Sequence, residues 1–165
     1  GYSDLSFTFT NRNVPMPYTP VGVFLIDQWR QIGVTVEHEQ LETRLYTDKL
    51  LGDELEAGLD YACDFMDEPS VKLIKYISAD KSAINYTGSI DETLDRLYEE
   101  QSRELDVEKR KELIRKFEKH LLTQAYQFPT IWWHRIIVHH DKLKNWHITP
   151  SHYLNVDLAD LWLAE

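Results

Sequence analysis

The chain has 165 residues, 42% of them hydrophobic, enough for one domain with its own core and too ordered in pattern for a disordered segment. Its 28 acidic and 18 basic residues leave a formal charge of −10, which excludes a nucleic-acid partner and docking on anionic lipid, since both need clustered Lys and Arg. Cys63 is the one cysteine, so no internal disulfide can form, and no run reaches the roughly 18 apolar residues of a membrane-spanning helix.

In chain order, "LSFTFT" (5–10) alternates large apolar and small polar residues at strand period. The start, "GYSDLSFTFTNRN", has no charged or apolar region of a signal peptide and reads as the edge of a strand within a longer protein. "NRNVPMP" is a loop. Thr19 followed by Pro20 predicts a helix start, with Val21, Phe24, Leu25, Trp29 and Ile32 on its apolar face and Gly33 as its stop. "VTVEHEQLE" is a second strand with Val34, Val36 and His38 on one face. "TRLYTDKLLGDEL" is a short helix ending near Gly52. "AGLDYACDF" is the third strand, and "DEPSVKLIKYI" opens another helix.

"INYTGS" is a loop or short strand, and Ser89 with Glu92 has capping-box spacing for a helix over about 90–104, buried through Leu94, Leu97 and Tyr98. Asp106 caps a further helix whose core face is Leu113, Ile114, Phe117 and Leu121. Pro129 ends that region. "TIWWHRIIVHH" is strongly β-prone, and the tail from Trp146 is irregular and aromatic. Strands and helices alternating at about 20-residue intervals predict an α/β fold, a mixed β-sheet with helices on both faces.

No phosphate-loop, dinucleotide, nucleophile-elbow or zinc-protease motif occurs. A small α/β hydrolase would have to pair Cys63 with a histidine, but nothing in its surroundings lowers its pKa, and it reads as a packed strand cysteine. His139 and His140 are adjacent, so on a strand they face opposite ways and cannot share an ion. His134, His147 and His152 are scattered, and no metal or other cofactor is implied. Asn85-Tyr86-Thr87 fits a glycosylation sequon, a pattern too common to weigh. Trp132 and Trp133 cannot both face one core. One packs, and the other meets a second layer, a ligand or, in a stand-alone interaction domain, a protein partner.

The stretch "LDYACDFMDEP" (59–69) places Asp64 where the third strand ends. Ligands of open α/β sheets collect outside the carboxyl ends of strands, and a carboxylate beside Tyr61 and Phe65 suits an ammonium group. Asp67 and Glu68, just before Pro69, suit a helix N-terminus. For Asp64 the residues alone leave both readings standing.

The chain resembles the C-terminal lobe of the peptide-binding family of extracytoplasmic solute-binding proteins of ABC importers, solute-binding protein family 5. Four phrases carry the resemblance: "YTPVGVFLIDQWRQIGVTVE"; "YACDFMDEP", like the family's W-x-x-D followed by an acid or amide and proline; "INYTGSIDETLDRLYEE"; and "DVEKRKELIRKFEKHLLTQAYQFPTIWW". The resemblance implies one lobe of a type II periplasmic-binding-protein fold over 1–145, with the aromatic tail 146–165 returning toward an N-terminal lobe. It implies a periplasmic or lipid-anchored receptor, not an enzyme. Such a receptor captures a peptide or similar small solute between two lobes and hands it to permease subunits.

By that likeness Asp64 pairs with a peptide's α-ammonium, with Tyr61 in place of the family's tryptophan and Cys63, Phe65, Trp132 and Trp133 as further ligand-facing candidates. One residue more than in the common form separates Asp64 from Pro69, which makes Asp67 a second claimant. The basic residues that some oligopeptide receptors place before this strand are absent from "GDELEAGLDYA".

Overall fold

The computed structural model describes residues 4–60, 66, 68–132, 136–147 and 158–165. It divides into two compact units, Gly1–Ala62 with Ile74–Glu92, and Cys63–Leu73 with Thr93–Glu165. No described helix is long and apolar enough to cross a membrane.

The first unit is built on β1 (Ser6–Arg12), α1 (Tyr18–Gln31), β2 (Thr35–Leu41), α2 (Thr43–Leu51) and β3 (Ala57–Gly58). All three strands are parallel, in the order β2-β1-β3. β1 pairs with β2 along its whole length, from Ser6 opposite Thr35 to Arg12 opposite Leu41, and with β3 only at Phe9–Ala57 and Thr10–Gly58. Alternation puts Phe7, Phe9 and Asn11 on one face of β1, where Trp29 of α1 meets both phenylalanines edge-on at 5.1 and 5.2 Å. On the opposite face Thr10 hydrogen-bonds Glu39, which accepts from Lys49 of α2 at 2.8 Å. Helices therefore cover both faces of this parallel sheet, as the α/β reading requires.

α1 ends as expected at Gly33, whose φ is +86°. Val34 N–H bonds back to Trp29 and Gly33 N–H to Arg30, the paired closure that a left-handed residue permits. Its start and its face differ from expectation. The helix begins at Tyr18, one residue before Thr19, and buries Tyr18, Gly22 and Ile26, while Phe24 and Ile32 are exposed. The reason is Gly22: a Cβ there would lie 2.6 Å from Asn11 Oδ1 and 3.1 Å from His38 Nε2, so the helix axis comes close to the sheet at that point. α2 is capped by Glu42, which accepts from Arg44 N–H at 2.8 Å. Its left-handed terminal residue is Asp53, at φ +55°, with Gly52 keeping an ordinary φ of −82°.

After the 3₁₀ turn Ile74–Tyr76, the loop that follows is tied around Asn85. The Asn85 carboxamide accepts from Thr87 and Gly88 N–H, each at 2.7 Å, and donates to the Ile77 carbonyl. A buried side chain with its amide nitrogen engaged is no glycan acceptor, so the sequon is structural here.

The second unit holds α3 (Pro69–Leu73), α4 (Glu92–Arg103), α5 (Val107–Thr123) and an antiparallel pair, β4 (Leu143–Lys144) with β5 (Trp162–Leu163). Leu94 and Leu97 of α4 and Phe117 and Leu121 of α5 are buried, as the helical spacing predicts. Asp106 caps α5 by accepting from Lys109 N–H at 2.9 Å. Ser89 does not cap α4, which starts at Glu92. Its N–H instead turns back to Thr87 Oγ1.

The β-prone run 130–140 forms no strand in its described residues, and Ile131, Trp132, Ile136 and Val138 are exposed. β-propensity describes fit to a half-buried pleated surface, and no such surface receives these side chains. The described strands thus form a parallel sheet and a separate antiparallel pair.

Candidate functional site

The strand order β2-β1-β3 sets where a site belongs. The chain leaves β1 through α1 toward β2 on one side, then returns through α2 across β1 to β3 on the other. The carboxyl ends of β1 and β3 are therefore adjacent, and it is outside the carboxyl ends of strands that ligands of open α/β sheets collect.

Arg12 closes β1 and Asp60 follows β3, and the two side chains are in direct contact as an ion pair. They are mostly withdrawn from solvent, at 15% and 19% side-chain exposure. The Arg12 guanidinium lies 4.6 Å from the Tyr18 ring and 5.5 Å from the Tyr46 ring, so aromatic faces from α1 and α2 flank one cation. Tyr46 is 1% exposed, and its hydroxyl has no hydrogen-bond partner among the described residues. Burial, with the Asp60 charge beside it, pushes the Tyr46 phenol well above its usual range and keeps it protonated. Gly58 makes room for that ring, because a Cβ there would sit 2.9 Å from the hydroxyl oxygen. Leu59 N–H still bonds the Thr10 carbonyl, so the last tie before Asp60 belongs to the sheet.

Of the residues singled out from sequence, Tyr61, Cys63, Asp64, Phe65, Asp67 and Trp133 lie outside the described residues, as do His134 and His152. Trp132 is described and stands 94% exposed. Glu68 has the helix-terminal role read for it: it accepts from Ser70 N–H at 3.1 Å at the start of α3. It also binds Arg110 of α5, and those bonds hold its carboxyl far below the usual range, at about 2. No group of three or more metal-ligating side chains occurs among the described residues.

Arg12, Asp60, Tyr18 and Tyr46 were not anticipated. The signal was present as charged residues directly after two strand-patterned runs, "TFTNR" and "AGLD". Their pairing depends on β1 and β3 being neighbours, which no local pattern reveals.

No protein-family model matches the chain, and no curated protein does. Solved structures do. The Escherichia coli murein tripeptide binding protein MppA matches at 21% identity over 74% of this chain and 24% of its own, with a TM-score of 0.66. A periplasmic binding protein associated with an ABC transporter, DppA from Helicobacter pylori in complex with peptide STSA, matches at 19% identity over 75% and 25%, TM-score 0.67. The substrate-binding domain of an oligopeptide ABC transporter from Bacillus anthracis matches at 21% identity over 76% and 24%, TM-score 0.68. The fold is thus that of an α/β lobe of periplasmic binding proteins, and the chain spans about a quarter of the length of these solved chains.

Proposed function

We propose that this chain is one lobe of the substrate-binding component of an ABC-type importer. The receptor, a member of solute-binding protein family 5, captures a peptide in a cleft between two lobes and presents the closed form to membrane permease subunits. Its work is binding and closure, without a chemical step. The observation that carries this reading is the parallel sheet that puts the carboxyl ends of β1 and β3 side by side, with the run Tyr61–Phe65 following directly from Asp60 in sequence. The likeness to solved peptide-binding receptors supports the same assignment and an extracytoplasmic location.

In this reading Asp64 clamps the ligand's α-ammonium by a charge-assisted hydrogen bond, with Tyr61, Cys63 and Phe65 around it. Trp132 and Trp133 are aromatic walls for the ligand's side chains, and the tail 146–165 runs toward the second lobe. Recognition needs both lobes, so the isolated chain binds weakly or not at all.

The test is calorimetry on the full-length protein with a synthetic tripeptide library. Wild type should bind, and Asp64→Asn should weaken binding about tenfold or more, the weight of a charge-assisted hydrogen bond. Unchanged affinity in Asp64→Asn removes that residue from the site. A full-length protein that binds no peptide overturns the peptide assignment.

A further inference from the structure

Three features stand out: the exposed apolar side chains at 128–138, the shallow depression on α1 between Val23, Phe24 and Arg30, and the charge balance at the carboxyl ends of β1 and β3. Nothing in the structure says what covers the first two. The third lies wholly within the first unit and has a direct chemical consequence.

A ligand carboxylate at this end of the sheet needs a cation with hydrogen-bonding capacity to spare. Arg12 is the only Lys or Arg between Leu5 and Tyr18, and the stretch from Gly52 to Asp60 has none against the acids Asp53, Glu54, Glu56 and Asp60. Past the end of β2 the nearest cation in sequence is Arg44, which stands exposed 4.0 Å from Asp48, where water screens its charge. Arg12 is thus the cation placed to receive a carboxylate, and Asp60 is already in contact with it. The pair is mostly withdrawn from solvent, and the rings of Tyr18 and Tyr46 crowd the guanidinium.

An incoming carboxylate could take Arg12 only by displacing one that belongs to the same chain. The exchange trades one carboxylate for another at the same cation, so it brings the ligand no net gain. It also strands the Asp60 charge where solvent reaches it poorly, and breaking a mostly buried pair costs far more than the intact pair contributes. The displaced Asp60 would then repel the anion that replaced it. Specificity is a difference of affinities, and here a built-in competitor removes the advantage of one ligand group.

We propose that Asp60 is a specificity-determining residue: by occupying Arg12 it cancels the carboxylate-binding capacity of this sheet end. The receptor therefore takes peptides whether their C-terminus is a free acid or an amide. This inference rests on the reading of the chain as a peptide-receptor lobe and needs no role for Asp64.

The full-length protein is challenged with a synthetic tripeptide library carrying free C-terminal acids and with the same library amidated. The ratio of bound acid to bound amide is measured beside Tm. Wild type should give a ratio near one. Asp60→Asn frees Arg12 while keeping the shape, and should raise the ratio about tenfold, the weight of one charge-assisted hydrogen bond. Adding Arg12→Gln to Asp60→Asn should return the ratio to near one. Should Asp60→Asn not fold, Asp60→Ser carries the same expectation. A wild type that favours free acids tenfold overturns the inference whatever the variants do. So does a ratio that stays near one in a folded Asp60 variant, or a raised ratio that survives Arg12→Gln. A wild type that binds neither library overturns the peptide reading itself and takes the inference with it.

Discussion

Arg110 reaches across 42 residues of sequence to hold both carboxylate oxygens of Glu68, tying α5 to the first turn of α3. The same guanidinium donates through Nε to Gln101 Oε1 at 3.1 Å and to Ser70 Oγ at 3.2 Å. Gln101 is fully buried in α4 and passes its amide hydrogens to Ser70 and Ser102. Three helices of the second unit therefore meet on one arginine.

Arg110→Ala should destabilise the chain by about 1–3 kcal/mol, because it strands the buried Gln101 oxygen as well as removing an ion pair. Glu68→Gln should cost less, about 1 kcal/mol, since its carboxylate is a third exposed and screened by solvent. The pair also sets an acid limb. Arg110 and the Ser70 N–H pull the Glu68 pKa from 4.5 to about 2, so the unfolded chain takes up that proton first. The contribution is full above pH 4.5 and is lost as pH falls toward 2, and Glu68→Gln should flatten this part of a urea-denaturation pH profile.

At Gly22 a methyl group has nowhere to go. Asn11 is fully buried, and its amide is already tied to the Arg12 carbonyl at 2.8 Å, so its oxygen cannot swing aside from the new Cβ. Gly22→Ala should lower stability by about 1–3 kcal/mol despite the better helix propensity of alanine. Thermal melts of the two chains check this directly.

His38 shares that contact through Asn11 Oδ1, and burial lowers its pKa below 6.5. The folded chain therefore resists the proton that the unfolded chain accepts. Stability should be level above pH 6.5 and decline as pH falls below it toward the folded-state value. The slope should vanish in His38→Gln. A slope that persists in the variant assigns the effect to another group.

Gly88 sits at φ +62° with the Asp53 carboxylate against it, a Cβ falling 2.0 Å from Oδ1. Gly88→Ala should cost about 1–2 kcal/mol from the left-handed backbone alone. Asn85→Ala should cost about 2–3 kcal/mol by releasing three backbone groups around the same loop. The two losses should fall short of additive in a double variant, because one turn serves both.

Tyr46→Phe tests the opposite sign. Its hydroxyl is buried without a partner among the described residues, so its removal should leave stability of the chain level or raise it by about 1 kcal/mol. A clear loss in denaturant titration would mean that the hydroxyl is satisfied from outside that set.

Local signals carried well where the cause is local. The stop at Gly33, the cap at Asp106 and the stripe Leu94, Leu97, Phe117 and Leu121 follow from side chains within a turn or two of one another, and the sequence announces each. The stop near Gly52 is likewise as expected, since α2 ends at Leu51 with Gly52 as its cap, and the left-handed residue is the next one, Asp53, because aspartate also tolerates that region.

What the residues by themselves determined is an acidic α/β lobe with its helices correctly typed, because period and capping are short-range properties of the chain. Only the tertiary structure decided that β1 lies between β2 and β3. From that follow the pairing of Arg12 with Asp60, 48 positions apart, and the depth of Gly22 against Asn11. It also decided that the β-prone run around Trp132 carries no strand in its described residues. Pairing and burial are made by neighbours in space, and a residue's preference for a strand is realised only where another strand accepts its hydrogen bonds.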